Sequence, residues 1–216
     1  MRARATDQSH RAGFITAGVA AVALAVAGCG SSAPSASPGA SGSAASHRPM
    51  SAHSHPMTES KPFGSDCGMV PSTGMGSFHA MSMDPVLTAA AHNPLLTTFA
   101  SDAKMAGLGG DLNSMHALTV FAPANSAFKK LPAAEMTMMH SAVELAKILK
   151  YHVVSGRVTP AELASGMTLK TLEGGALKSS KMGSIYEVNN AQVICGNIRT
   201  ANATVYVINK VLVPMH

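Results

Sequence analysis

An apolar run that ends directly before a cysteine divides this chain into an N-terminal segment and a remainder in which a folded domain is expected. Residues 14–27 are apolar almost without interruption, and a positively charged segment with three arginines precedes them. This order is typical of an export signal, and the run is too short for a comfortable membrane-spanning helix. We therefore take residues 1–28 as a signal peptide and look for the fold after it.

The end of the apolar run resembles the lipobox at which bacterial lipoproteins are processed. In Val26-Ala27-Gly28-Cys29, two small residues separate a branched residue from the cysteine. The pattern predicts cleavage before Cys29 and acylation of its thiol, so that the exported chain is lipid-anchored to the outer face of the bacterial cell membrane. More than one acyl chain makes such an attachment durable, since each buried methylene contributes about 0.8 kcal/mol. Two alternatives stay open, an ordinary secretory signal with Cys29 incidental and an uncleaved membrane anchor.

The segment after the predicted cleavage site, residues 29–63, is rich in Ser, Ala, Pro and His and has few large apolar side chains. Such a composition cannot bury enough surface to offset the entropy lost when the chain is ordered. We predict that this segment is a lipidated, disordered tether. Residues 64–83 would then be an N-terminal extension, and residues 84–216 are enough for one domain.

The charge of the chain argues against nucleic acid as a partner. Of the 16 basic and 11 acidic residues, the predicted signal peptide holds three basic and one acidic residue. The mature chain keeps 13 basic and 10 acidic residues, a net charge of +3, and they are scattered along the sequence. Nucleic-acid-binding proteins usually cluster their basic residues on one face.

The three cysteines fit an exported protein with one lipidated residue and one pair. We predict a disulfide between Cys67 and Cys195, which an exported location would allow. A bridge across so long a loop would contribute about 4 to 5 kcal/mol in the chain-entropy model and would pin the extension to a late strand. Two free buried thiols and a metal-binding pair remain as alternatives.

Local sequence signals predict several helices. Asp84 is expected to cap a short helix with Pro85 in its first position, and a second helix should cover residues 95–105. Ser141 and Glu144 match a capping box that would open a helix ending near residue 151. Thr159, followed by proline and then by Glu162, matches the same box.

The second half of the chain is mostly strand-like. Strands are predicted at residues 118–121, 152–154, 167–172, 185–188, 191–194 and 203–208. Asn189-Asn190 should turn a hairpin between two of them. Helices first and strands later favour an α+β fold over a doubly wound one.

Three segments resemble the motifs of fasciclin (FAS1) domains, in the order that the family shows. Residues 119–128 are similar to its first signature, residues 148–154 to its central tyrosine-histidine motif and residues 203–214 to its second signature. The likeness extends to the single-domain, exported mycobacterial antigens and surface lipoproteins of the family, through residues 84–86, 93–98 and 193–196.

The resemblance implies a fold in which two β-sheets form a wedge with short helices around it, and a role in adhesion to a surface protein or matrix. Tyr151 and His152 resemble the pair that some animal FAS1 domains are said to use for cell binding, and Asn125 lies in the first signature. Each also has a structural interpretation, because a buried histidine is usually a hydrogen-bonded core residue and Asn125 suits a helix cap or a turn.

No catalytic motif is evident in the sequence. It lacks a Gly-x-Ser-x-Gly elbow, a His-Glu-x-x-His pair and a phosphate-binding glycine loop. The FAS1 family is not catalytic as a rule, so we expect neither an enzyme nor a cofactor.

Fifteen methionines, an unusually large number, suggest another function. Thioether sulfur suits Cu(I), and imidazole suits copper or zinc. A copper- or zinc-handling role would use residues from the Met/His-rich stretch, with these candidates: His53, His55, Met57, His79, Met81 and Met83. Compositional drift in a tether would explain the same residues. Binding of a lipid or other apolar ligand in the cleft of the wedge is a further alternative.

Overall fold

The computed structural model describes residues 61–214. The predicted signal peptide, Cys29, nearly all of the tether and the metal candidates His53, His55 and Met57 therefore lie outside the described residues. Among residues 61–214, no helix has both the length and the apolar character needed to cross a membrane.

The described residues form eight α-helices and seven strands after a 3₁₀ turn at Ser65–Met69. The helices are α1 (Phe78–Met83), α2 (Val86–His92), α3 (Thr97–Met105), α4 (Gly109–Ser114), α5 (Asn125–Phe128), α6 (Ala133–Met138), α7 (Ala142–Tyr151) and α8 (Pro160–Ala164). The strands are β1 (Leu118–Pro123), β2 (Val153–Ser155), β3 (Thr168–Lys170), β4 (Ala176–Met182), β5 (Ile185–Val188), β6 (Ala191–Arg199) and β7 (Ala203–Ile208).

The strands pair in the order β2-β1-β7-β6-β5-β4-β3, and the ends of this series return toward each other. Only the β1–β7 ladder among them is parallel. An isolated bridge joins Val154 of β2 to Thr171, which follows β3, and the Leu172 N–H donates to the Val153 carbonyl at 2.8 Å. The two end strands of the series, β2 and β3, therefore meet. The sheet is thus a barrel-like wedge with helices packed on it, which confirms the predicted α+β class.

Two hydrophobic cores lie on opposite faces of the central strands, since successive strand residues point to opposite sides. Val120, Val205 and Val207 face the helices, in a core that includes Leu96, Phe99, Leu145 and Leu149. Their neighbours face the inside of the wedge, which is filled by side chains from several strands and from helix α8: Phe121, Leu163, Leu169, Leu177, Val188, Tyr206 and Ile208. Each such fully buried side chain contributes about 1.5 to 3 kcal/mol.

One of the two predicted capping boxes forms and the other does not. Thr159 forms its box as expected, because its hydroxyl accepts from the Glu162 N–H and the Glu162 carboxylate accepts from the Thr159 N–H at 2.7 Å. The box at Ser141 was predicted wrongly, since that side chain makes no capping hydrogen bond. The Glu144 carboxylate is instead bound to the Lys147 ammonium at 2.9 Å.

The prediction that Asp84 caps the helix after it was also wrong. Asp84 ends α1, and α2 begins at Val86. Distant side chains satisfy the free N–H groups of that first turn: the Asn202 carbonyl oxygen accepts from Val86 at 2.8 Å, and that of Asn113 accepts from Leu87 at 3.0 Å. A local cap is unnecessary when two asparagines reach the helix from elsewhere in the chain.

The predicted hairpin at Asn189-Asn190 is confirmed, with φ angles of 45° and 64°. Both residues adopt the left-handed conformation that a tight two-residue hairpin turn requires. The strand predicted from His152 begins one residue later, because His152 ends α7. Helices α1, α4 and α6 and strand β4 were not among the predicted elements.

Candidate functional site

Phe63 and the start of the N-terminal extension lie along strand β6, and we call residues 63–70 the strap. Phe63 forms an antiparallel bridge with Gly196 of β6, with hydrogen bonds of 3.1 and 2.7 Å. Four residues later, Cys67 is bonded to Cys195, so the predicted disulfide is confirmed. Cys195 is fully buried and Cys67 packs at the edge of the helix-side core. The strap is therefore held by backbone pairing and by a covalent bond at adjacent positions of β6.

Two glycines make the close approach of the strap to β6 feasible. A Cβ on Gly196 would lie 2.6 Å from the Phe63 ring and 2.9 Å from the Tyr206 ring. A Cβ on Gly64 would lie 2.3 Å from the Ile194 carbonyl oxygen, and the φ angle of Gly64 is 124°. That conformation is readily available only to glycine. The strap therefore depends on a missing side chain in each of the two segments that meet.

Beside the strap lies a groove of about 800 Å³, which we call the aromatic groove. Its walls are Phe63 and Tyr186, whose ring centroids are 4.6 Å apart, together with Val193 from β6. The Lys181 ammonium lies 4.7 Å from the centre of the Tyr186 ring, within cation–π distance. Side chains fill the inside of the wedge. Binding of an apolar ligand in its cleft stays a prediction.

A second hollow, of about 500 Å³, contains two guanidinium groups and is called the arginine hollow here. Arg157 and Arg199 both line it. The Arg157 guanidinium donates to the carbonyls of Ala201 at 3.0 Å and Ala203 at 3.2 Å, which holds it over the β6–β7 turn. Burial lowers the pKa of Arg157, and the nearby positive charge of Arg199 lowers it further.

His152, a predicted interaction residue, is fully buried and bonded on both ring nitrogens. Its Nδ1 lies 2.8 Å from the Ile148 carbonyl, and its Nε2 lies 2.9 Å from the Leu212 N–H. Because a carbonyl only accepts and an N–H only donates, the ring must be the neutral tautomer with its proton on Nδ1. Burial lowers its pKa to about 4. His152 thus fastens the segment after β7 to the end of α7.

Tyr151, the second predicted interaction residue, is also buried. Its hydroxyl donates to the Ala176 carbonyl at 3.0 Å and accepts from the Asn189 side-chain amide at 3.0 Å. Burial is the main cause of the raised pKa of this hydroxyl. The side chain therefore joins α7 to β4 and to the β5–β6 turn.

Asn125, the third candidate, caps a helix that is distant in sequence. Its side-chain oxygen accepts from the Thr98 N–H in the first turn of α3 at 2.9 Å. Its amide donates to the Pro94 carbonyl at 2.9 Å and to the Thr97 hydroxyl at 3.0 Å. The polar atoms of all three candidates thus hold parts of the domain together, and their use in binding a partner stays a prediction.

The metal candidates among the described residues differ in exposure. His79 and Met83 are exposed, but Met81 is fully buried and its sulfur accepts from the Asn93 side-chain amide at 3.2 Å. Met81 would have to leave the core to bind a metal ion. Within residues 61–214, no group of three or more His, Cys, Asp or Glu side chains is arranged to hold one.

Sequence reasoning missed the residues that shape the two hollows. Phe63 was placed in the tether, and Lys181, Tyr186, Arg157 and Arg199 carried no motif. One available signal was Lys181-Met182-Gly183-Ser184-Ile185, in which a glycine separates apolar residues beside a lysine, a pattern typical of an exposed turn. The strap brings its partner residues from more than 100 positions away, which no local pattern indicates.

The chain is similar in sequence to one protein family and to two mycobacterial proteins. The fasciclin domain family model matches residues 94–214. The immunogenic protein MPB70 of Mycobacterium bovis is 43% identical over 152 residues, covering 66% of this chain and 75% of MPB70. The cell surface glycolipoprotein MPB83 of the same species is 43% identical over 148 residues, covering 66% of each chain.

A solved structure of a FAS1 domain pair from the insect cell adhesion molecule fasciclin I has the same fold. Its TM-score is 0.53 at 17% identity, covering 62% of this chain and 52% of the insect chain. The family match covers more than half of the present sequence, and MPB70 is matched over three quarters of its length. This chain therefore belongs to the fasciclin domain family.

Proposed function

We propose that the chain is an exported bacterial surface protein, anchored by acyl chains on Cys29, and that its FAS1 domain is a binding module rather than an enzyme. The observation that carries the proposal is the 43% identity to MPB83, which is named a cell surface glycolipoprotein. The lipobox-like residues before Cys29 support the same cell-surface location, because acylation of Cys29 would anchor the exported chain to the membrane.

The disulfide between Cys67 and Cys195 supports export. Structural disulfides persist in oxidising compartments and are rare in the reducing cytosol of ordinary bacteria. Here the bridge fastens the strap next to the point where the predicted tether enters the domain. Pull on the tether would therefore act on a covalently fixed segment, an arrangement that suits an anchored protein.

The proposed binding role is adhesion, meaning contact with another surface protein or with matrix. Tyr151, His152 and Asn125 use their polar atoms inside the domain. The aromatic groove and the arginine hollow instead open on the surface and combine ring faces with positive charge. Aromatic and arginine side chains are the types most enriched where proteins bind partners.

The anchor is tested by replacing Cys29 with alanine in cells that receive labelled palmitate. We expect the label to disappear and the protein to leave the membrane fraction, while Gly30→Ala, a matched change beside the lipobox, keeps both. Formation of the Cys67–Cys195 bridge, followed by mobility on non-reducing gels, shows that the domain still folds. A Cys29→Ala chain that stays in the membrane at its uncleaved mass would contradict the proposal.

The adhesion role is tested with beads that carry the mature chain, residues 29–216 with Cys29→Ser. We expect saturable binding to intact cells or to purified matrix, and competition by the same chain free in solution. Beads carrying a chain with reduced and alkylated cysteines serve as the unfolded control. Binding that neither saturates nor responds to the competitor would contradict an adhesive function.

A further inference from the structure

The two end strands of the sheet meet over only a short distance. Their contact is the single bridge between Val154 of β2 and Thr171. Beyond it, no backbone hydrogen bond within residues 61–214 joins Thr168 to the chain that follows β2. A hollow of about 570 Å³ opens there, and we call it the seam hollow, lined mainly by residues 154–158 and 167–172. One of its borders is therefore the edge of strand β3.

Strand β3 directs backbone groups into the seam hollow. On its other side it pairs with β4, where the Met167 carbonyl accepts from the Ser179 N–H at 3.0 Å. The Thr171 N–H also donates toward β4, at 2.9 Å. Alternate residues of a strand direct their N–H and C=O groups to opposite sides. Thr168 and Lys170 therefore direct theirs into the hollow, where an extended backbone could pair with them.

The side chains of β3 give its two faces different surroundings. Thr168 and Lys170 are exposed, whereas Leu169 between them is buried inside the wedge. Leu169 lines the seam hollow together with Val158 and Leu172. Because successive residues of a strand point to opposite faces, a strand added beside β3 would place alternate side chains outside and against this apolar floor.

Two lysines lie on the exposed face of β3 and β4 next to the hollow. Lys178 pairs with Thr168 across the two strands, so it shares a face with Lys170. Neither lysine is in an ion pair identified among the described residues. Glu162, which also lines the hollow, has its carboxylate bound to the Thr159 N–H at 2.7 Å. An added strand with carboxylates would complement the lysines, whereas a second copy of this chain paired edge to edge would bring like charges together.

We propose that the seam hollow binds an extended peptide segment of a partner protein, which adds to the edge of β3 as an antiparallel strand. Its backbone pairs with Thr168 and Lys170, its carboxylates lie beside Lys170 and Lys178, and its apolar side chains pack on Leu169. Acidic and apolar residues therefore alternate in the segment. Main-chain bonds supply affinity in this mode of recognition, and alternate side chains supply specificity. The inference rests on the proposed adhesion role and specifies a protein as the partner.

The test uses the mature chain with Cys29→Ser and a fluorescent peptide, Thr-Glu-Val-Glu-Val-Thr, followed by fluorescence polarisation. We expect saturable binding and slower hydrogen exchange at the Thr168 and Lys170 amides, because pairing protects both N–H groups. N-methylation at both glutamates should weaken binding about tenfold, since it removes the N–H groups that face β3. N-methylation at both valines, whose N–H groups face away from β3, should weaken it less.

Charge reversal tests the register of the added strand. Lys170→Glu should weaken binding of the acidic peptide about fivefold and strengthen binding of Thr-Lys-Val-Lys-Val-Thr to a similar extent. Lys129→Glu is the matched control, because Lys129 is exposed and does not line the seam hollow. Thr168→Pro removes an N–H at the first position of β3, where proline is tolerated, and should weaken both peptides about fivefold. Melting temperatures confirm that each variant is folded.

Three results would overturn the proposal: no saturable binding, equal effects of the two methylated peptides, or equal effects of Lys170→Glu and Lys129→Glu. A dimer without peptide, in which the Thr168 and Lys170 amides are already protected, would assign the edge to a second copy instead. The bead assay for adhesion is judged separately. Beads that adhere while the peptide does not bind would refute this inference alone, and peptide binding by a chain whose beads do not adhere would refute the adhesion role alone.

Discussion

Protonation of His152 should destabilise the folded domain. The ring is neutral in the folded domain, since its Nε2 accepts from the Leu212 N–H at 2.9 Å. A proton on Nε2 would bring two donors together in a fully buried site. The pKa of His152 falls from 6.5 to about 4 on folding, mainly because burial disfavours the charged ring. Acid should therefore lower the stability of the domain through this residue.

The size of the effect follows from linkage between protonation and folding. The unfolded chain takes up the proton near pH 6.5 and the folded chain only near pH 4, so stability is full above 6.5 and falls as the pH drops through this window. A difference of two to three pKa units corresponds to about 3 kcal/mol. That is a large fraction of the total stability of a domain of this size.

Asp102 acts in the opposite direction over nearly the same range. It is 8% exposed, and burial raises its pKa from 3.8 to about 6. The folded chain holds this proton more tightly, so stability rises as the pH falls from about 6 to 3.8. We discount this effect to about 1 to 2 kcal/mol because residual contact with water screens the carboxylate. The wild-type chain should therefore lose only part of the stability that His152 alone would remove.

The assay is urea unfolding followed by circular dichroism at several pH values from 7 to 4. In an Asp102→Asn background the full loss of about 3 kcal/mol should appear. Adding His152→Gln, which does not titrate, should remove that pH dependence and lower stability at pH 7 by about 1 to 3 kcal/mol, because its hydrogen bonds are imperfect. His140→Gln, at an exposed position, is the control. An unchanged slope after His152→Gln would refute the reasoning.

Three further predictions concern local structure. Gly196→Ala should cost about 1 to 3 kcal/mol, because the new Cβ meets the Phe63 ring, and limited proteolysis should then cut the strap sooner. Thr159→Ala removes the capping box of α8 and should cost about 1 kcal/mol in thermal unfolding, whereas Ser141→Ala, at the box that does not form, should have little effect. Replacing Cys67 and Cys195 by alanine removes a disulfide that joins residues 128 positions apart. The free energy of unfolding in urea should then fall by up to about 5 kcal/mol. An unchanged urea midpoint would argue against the chain-entropy account.

The elements that the sequence predicted well are those whose local pattern and tertiary environment agree. β1 and β7 are fully buried, and their continuous apolar and β-branched residues indicate central strands. Helix α7 has a buried stripe at helical spacing, and asparagine readily adopts the positive φ angles that the turn at Asn189-Asn190 requires. Pairing Cys67 with Cys195 needed only a count of cysteines and an exported location.

The elements that were missed depend on contacts that are distant in sequence. Strand β4, with the sequence ALKSSKM, buries Leu177 and the polar Ser179 and leaves its other residues exposed or half-buried, so its pattern resembles a loop. The predicted cap at Asp84 failed because Asn202 and Asn113 supply hydrogen bonds from distant segments. Asn202 is itself buried, with its amide donating to the Leu112 carbonyl at 2.7 Å. A sequence pattern cannot show which of two caps a helix will use when one comes from the other end of the chain.

The motifs that identify the family and the surface proposed to bind are made of different residues. His152 and Asn125, both within the motifs, join helices and strands to one another. Substitution at either residue should therefore lower the stability of the domain before it affects binding. The aromatic groove is formed mainly by the strap and the β4–β5 hairpin, which lie between or before the motifs. Members that share the motifs can thus share the fold while presenting different charges in this groove. The identity of the binding partner should therefore depend on residues such as Lys181 and Tyr186 rather than on the family motifs.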